Sequence, residues 1–264
     1  MLKKALRKIK YVVCDISGTV SYGGEPIGDM AYTLNRLRES GKMLLFITNN
    51  SSCGRAYLKD TFDEMGLSDD RDLFYSSGSA TIDYVKENYP GKRVYLIGTS
   101  ALEASFKEAG VLVVDDNPEV AVLGLDTTMS YEKLAKLITA VRNGAVFVQT
   151  HPDLYNYYSG NALPDCGSFA KIVEACTGIK PSATVGMPSK FMGEKIMSVL
   201  NCNADEILMV GDKLETDIKF GIDCRFYTLA VLSGQTTEKM LKASDIDPDF
   251  VLPSLNDIVD YLDD

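Results

Sequence analysis

Asp15, Thr48 and Asp212 each stand where a short apolar run stops. Tyr11–Cys14 leads into Asp15, and a Gly18-Thr19 turn follows. Met43–Ile47 leads into Thr48 and a polar stretch, Asn49-Asn50-Ser51-Ser52. Glu206–Val210 leads into Gly211-Asp212, with Asp217 five residues on. Short apolar runs of this kind read as strands buried in a parallel sheet. The residue at the end of each lies on the carboxyl edge, where open α/β sheets bind ligands. A carboxylate delivered to that edge makes Asp15 the first candidate for chemistry on a bound ligand. The plainer reading is an Asp that caps the next turn. Asp212 and Asp217 have the same plain alternatives, a loop cap and a helix N-cap.

The elements that would position these residues alternate along the chain. Helical spacing at Met30, Leu34 and Leu37 predicts a helix over Gly28–Ser40, closed at Ser40-Gly41. A right-handed crossover through it sets Thr48 beside Asp15 at one sheet edge. Arg55–Met65 and Ser79–Asn88 read as helices around a short strand, Phe74–Ser77. A second series fills 94–148: strands Val94–Ile97, Val111–Val114, Val120–Leu123 and Ala145–Gln149, helices Ser100–Ala109 and Tyr131–Arg142. His151–Ser168 reads as loop and Phe169–Cys176 as helix. The closing series has Ala183–Val185, Glu206–Val210 and Arg225–Val231 as strands. Its helices are Lys190–Leu200, one starting at Asp217–Phe220, Thr236–Ala243, and Leu255–Tyr261 with Ser254 as N-cap. The pattern predicts an α/β protein with a doubly wound parallel-sheet core. More than about ten strands would be large for one open sheet. The middle series is therefore expected as an inserted α/β cap: core 1–81 plus 181–264, cap 82–180.

Composition narrows the partners. The chain has 264 residues, 45% hydrophobic, enough for a real core, and a formal charge of −10. Phosphate backbones and anionic membranes call for a basic footprint, so neither nucleic acid nor membrane is expected as a partner. A small phosphate can still bind an acidic protein if a divalent cation supplies the charge. Six scattered cysteines show no metal spacing and read as reduced thiols of a cytoplasmic protein. The single histidine, His151, excludes multi-histidine metal sites. The lysine-rich start, Lys3 to Lys10, reads as a solvated lead-in to the first strand.

Asp15, Thr48 and the stretch Val210-Gly-Asp-Lys-Leu-Glu-Thr-Asp217 together resemble the haloacid dehalogenase-like phosphatases. The match is closest to the subfamily with a large α/β cap, the nitrophenyl-phosphatase-like and NagD-like proteins. Ile47-Thr-Asn-Asn-Ser51, Leu123-Gly-Leu-Asp126, Thr150-His-Pro-Asp153 and Val231-Leu-Ser-Gly-Gln-Thr236 extend it over essentially the whole chain. The order and spacing of these short motifs carry the resemblance.

The resemblance implies a magnesium-dependent phosphatase. Asp15 would attack phosphorus and form an aspartyl-phosphate. Magnesium would bind Asp15, the Ser17 carbonyl and Asp212, with Asp217 in the outer shell. Thr48 and the Asn49 amide would hold the phosphoryl oxygens. Substrate choice would fall to the cap loop, through His151 and Asp153 and the nearby Tyr155, Asn156, Tyr157 and Tyr158; the same tyrosines equally suit packing or a dimer face. Capped members that resemble this chain often pair through their caps, so a homodimer is an expectation.

Two positions depart from the family pattern. Ser17 stands where an Asp general acid is usual, and a hydroxyl is too weak an acid near pH 7. That favours aryl phosphates, acyl phosphates and other substrates whose leaving group needs little protonation. Met187, in Gly186-Met-Pro188, stands where the phosphate-neutralising lysine is usual. Lys190, nearly one helical turn on, is the candidate phosphate-binding lysine, with Lys213 next to Asp212 as the other; the plainer reading is that both are solvated. The competing reading is a catalytically weakened member that binds magnesium and phosphate as a binding or regulatory module.

Overall fold

A computed structural model describes residues 1–158 and 161–263, without the side chains of Tyr157 and Tyr158. The chain divides into two compact units. One comprises Met1–Thr48, Leu58–Tyr75 and Pro188–Asp264, the other Asn49–Tyr57 and Ser76–Met187.

The first unit is built on a six-stranded sheet. Its order is Phe250–Leu252, Tyr227–Val231, Ile207–Gly211, Tyr11–Asp15, Met43–Thr48, Leu73–Ser76. The pairings from Phe250–Leu252 through Met43–Thr48 are all parallel. Chain order runs one way from Tyr11–Asp15 and the other way from Ile207–Gly211, so the sheet reverses its winding between these two strands. Register fixes the edge: Asp15 lies opposite Ile47, and Cys14 opposite Val210. Val12, Val13, Cys14, Leu208, Met209 and Val210 are wholly buried, which is why both strands read as unbroken apolar runs. Phe46, Phe62 and Phe74 pack with ring centroids 4.5–5.5 Å apart under the outer strands.

The second unit has its own five-stranded sheet: Ala183–Thr184, Val146–Gln149, Val120–Leu123, Arg93–Ile97, Leu112–Val113, all parallel. Ile97, Leu123, Leu137, Val141, Phe147 and Val173 fill its core. The expected α/β alternation is therefore present in both halves.

Three local expectations are corrected. The lysine-rich start is a helix, Leu2–Leu6, that buries Leu2, Ala5 and Leu6, followed by buried Ile9. Its lysines face solvent while its apolar residues join the core, as amphipathic spacing dictates. Residues 151–168 are not all loop: Tyr155–Tyr158 and Asn161–Pro164 pair antiparallel, and a helix starts at Cys166. The last helix, Leu255–Tyr261, is 3₁₀, and Ser254 caps it together with Asp257. All six cysteines are free thiols. No helix of the described residues is long and apolar enough to cross a membrane.

Arg38 and Asp72 form a buried bidentate pair, with Nη2–Oδ2 at 2.5 Å and Nε–Oδ1 at 3.2 Å. Nη2 also donates to the Leu67 carbonyl, and the Asp69 N–H donates to Asp72. Removing one partner leaves a buried charge unpaired, which costs about 3–5 kcal/mol. Arg38→Met is expected to lower the urea unfolding free energy by that amount, and adding Asp72→Leu should restore most of it. Two independent, additive losses would contradict this account.

Candidate active site

The turn after the first strand is tight. Gly18 takes φ +90° and donates to Ser21 O at 2.8 Å, while Val20 and Ser21 both donate to Ile16 O. A two-stranded hairpin, Ser21–Tyr22 with Glu25–Pro26, follows. Asp15 is thus a buried carboxylate on a strand end held by a rigid loop. Ser17, two residues on, is exposed.

Asp212 follows the neighbouring strand across the reversal point. Its Oδ2 accepts from Gln235 N at 2.6 Å, and Thr19 Oγ1 lies 3.5 Å from its Oδ1. The Asp212 carbonyl accepts from Thr236 N at 3.0 Å. Gly18 and Gly234 flank the carboxylate so closely that a Cβ on either would run into it. Leu214–Ile218 forms one π-helical turn, the wide kind often found at functional sites. That turn brings Asp217 back toward the strand end. Its Oδ2 accepts from the N–H groups of Asp212 and Lys213 at 3.0 and 2.9 Å, and its Oδ1 from Thr216 Oγ1 at 2.7 Å. With those donors engaged, Asp217 shapes the turn that carries Asp212.

Asp15, Asp212 and Asp217 each offer an oxygen within 4.8 Å of the others, and all three are buried. Burial pushes the Asp15 carboxyl well above its ordinary range, and the Asp217 and Asp212 charges push it further. Burial and the Asp212 charge push Asp217 up to about 7. Burial raises Asp212 as well, against the Gln235 N–H. Lys213 opposes the rise at all three. Three buried carboxylates with this little compensation suit a small divalent cation, which supplies the missing charge and takes oxygen ligands. The donor set therefore fits magnesium.

Thr48 ends its strand buried in the first unit. Lys190 is exposed at the first position of Lys190–Leu200, and its charge acts on the Cys224 thiol. Lys213, which acts on the three carboxylates, follows Asp212 directly.

Asn49, His151 and Asp153 belong to the second unit. Asn49 Nδ2 donates to Asp153 Oδ2 at 2.8 Å and to Met187 O at 3.0 Å. Its side-chain amide therefore has both N–H groups engaged within the protein. Met187 is buried. His151 is wholly buried, with Nδ1 2.8 Å from Thr150 Oγ1 and Nε2 2.8 Å from Asp165 Oδ1. Both ring nitrogens of this expected substrate-loop residue thus hold the loop together. Asp165 also accepts from Cys166 N and Asn156 Nδ2. Tyr155 is exposed on the hairpin; the side chains of Tyr157 and Tyr158 lie outside the described residues.

Sequence reasoning missed Thr19, Gly234, Gln235 and Asp165. Gly234 and Gln235 lie in a motif quoted above without a role, and nothing local to them signals that they surround Asp212.

A family model described as haloacid dehalogenase-like hydrolase matches residues 12–112, and one described as HAD-hydrolase-like matches 184–258. An acid sugar phosphatase of Staphylococcus aureus is 30% identical over 259 residues, spanning 98% of this chain and 100% of that protein. The crystal structure of a 4-nitrophenylphosphatase from Thermotoga maritima superposes with a TM-score of 0.94 at 31% identity, over 98% of this chain and 99% of that one. NagD from Escherichia coli K-12 superposes with a TM-score of 0.86 at 29% identity, over 95% and 98%.

Proposed function

We propose that this chain, which belongs to the haloacid dehalogenase-like hydrolases and to their capped, NagD-like phosphatases, is a magnesium-dependent phosphatase acting through an aspartyl-phosphate on Asp15. The observation that carries the reading is the buried triad Asp15, Asp212 and Asp217 at the point where the sheet reverses its winding. The substrate is a small soluble phosphorylated molecule, in keeping with relatives named for sugar and nitrophenyl phosphatase activity.

One Asp15 oxygen attacks phosphorus, and the bond from phosphorus to the leaving oxygen breaks. Water then attacks the same phosphorus, the bond to Asp15 breaks, and the carboxylate is restored. Asp15, Asp212 and the Ser17 carbonyl would hold magnesium, and Asp217 would hold the Asp212 turn. When bound, magnesium neutralises the carboxylates and draws charge from the phosphoryl oxygens. Thr48 and the backbone N–H that follows it would hold those oxygens. Lys213 takes the place of the usual motif lysine, supported by the reach of its charge to all three carboxylates. Ser17 cannot protonate the leaving oxygen, so turnover is greatest for leaving groups that depart as anions.

The test is phosphate release from p-nitrophenyl phosphate, acetyl phosphate and an alkyl phosphate, with magnesium and with chelator. Turnover that requires magnesium and favours the two activated substrates is expected. No turnover on any of the three, with magnesium still bound, would replace this reading with a binding module. Magnesium should also stabilise the fold, by about 2.7 kcal/mol at 100 times its dissociation constant. Asp212→Asn should largely remove that shift in a thermal melt; an undiminished shift would place the metal elsewhere.

A further inference from the structure

Asn49 is gripped from several directions inside the second unit. Its Nδ2 donates to Asp153 Oδ2 at 2.8 Å and to Met187 O at 3.0 Å. Both partners are acceptors, which fixes the amide orientation. Its backbone carbonyl accepts from Ser77 Oγ at 2.6 Å. Its Oδ1 is buried without a hydrogen-bond partner. Gly186 faces that oxygen so closely that a Cβ there would meet Oδ1, Ser77 Cβ and Thr150 O, each at 2.7 Å. A buried amide oxygen left unpaired costs about 1–3 kcal/mol. Such a cost marks a side chain held in place by its surroundings.

Of the groups around Asn49, Asp153 is the one that brings a charge. Charge-assisted hydrogen bonds are roughly twice as strong as neutral ones. Asp153 is itself steadied: its carbonyl accepts from Gly167 N at 2.8 Å, on the helix that opens at Cys166. The loop carrying it is tied at both ends by the His151–Asp165 hydrogen bond.

We propose that Asp153 is a positioning residue: it locks the Asn49 amide against Met187 and Gly186, and so fixes the backbone at Thr48–Asn49 that holds the phosphoryl group. This rests on the phosphatase reading above. It differs from the expectation that Asp153 touches substrate, in that its Oδ2 accepts from the Asn49 amide. A phosphate-holding backbone displaced by about 1 Å can lose up to about 100-fold in rate.

The test uses the full chain with magnesium, p-nitrophenyl phosphate and acetyl phosphate, and four proteins: wild type, Asp153→Ala, Asn49→Ala and the double variant. Asp153→Ala should lower kcat at least tenfold on both substrates, by the same factor, with KM within twofold. In the Asn49→Ala background the same change should do nothing further. Asp153→Asn, whose amide oxygen can still accept from Asn49, should recover most of the kcat and guards against a folding defect in the alanine variant. A loss that differs between the two leaving groups, or that falls on KM, makes Asp153 a substrate contact and overturns the proposal alone. An equal loss with and without Asn49 also overturns it. A wild-type chain with no turnover overturns the phosphatase reading, and this proposal with it.

Discussion

Asp15→Asn is expected to stop phosphate release, by about 10⁴-fold or more, and to leave the fold intact. An amide of the same shape cannot attack phosphorus, and losing a nucleophile removes the whole covalent route. The side chain is buried, and its neighbours at the site are carboxylates. Neutralising it removes the cost of burying its charge and relieves the repulsion from Asp217 and Asp212, which together raise its own protonation range. Without magnesium the variant should therefore unfold at equal or higher urea concentration than the wild type. Phosphate release and urea midpoints in chelator check the two halves separately. Turnover within tenfold of wild type would end the aspartyl-phosphate mechanism. A lower midpoint would mean that Asp15 is a structural cap, the plainer reading of its position.

Ser17→Asp is expected to raise turnover on an alkyl phosphate by about 10²–10⁴-fold, the usual value of a well-placed general acid. Ser17 is exposed on the loop held by Gly18 and Ser21, so a longer polar side chain meets no steric barrier in the core. Acetyl phosphate, whose leaving group departs as a carboxylate, should gain far less. The ratio of the two kcat values is the discriminating quantity. If both rise equally, the new carboxylate acts on a step they share, such as attack of water. If neither rises, protonation of the leaving group does not limit the rate in this chain.

The strand ends were legible because buried parallel strands leave a strong signature. Val12 to Cys14 and Leu208 to Val210 are apolar without interruption, and the polar residue that follows is conspicuous. The pairing of Asp15 with Asp212 was not readable from periodicity; it depends on strands 196 positions apart meeting in one register, Tyr11 opposite Ile207. Motif order supplied that link through resemblance. What stayed hidden was contact between side chains distant in sequence. Lys190 and Lys213 look alike as residues, and only their surroundings separate them. His151 looked available because polar loops are usually solvated, yet Thr150 and Asp165 enclose it. The helix at Leu2–Leu6 was obscured because it is short and Lys3 and Lys4 interrupt the few apolar residues that anchor it.

The arrangement of the first sheet also sets an order of events during synthesis. Tyr11–Asp15 is an interior strand, but one of its two partners, Ile207–Gly211, is made almost 200 residues later. Until residue 211 has left the ribosome, Val12, Val13 and Cys14 present an open apolar edge to whatever is nearby. At about 5–20 residues per second, that exposure lasts roughly 10–40 s. The sheet of the second unit draws its strands from residues 93–184, so it closes first, while the strand that ends in Asp15 still waits for its neighbour. Unpaired edges of this kind invite aggregation. The nascent chain is thus most vulnerable in the strand that ends in Asp15, and slowed translation beyond residue 184 should lower the soluble yield more than slowing before residue 43.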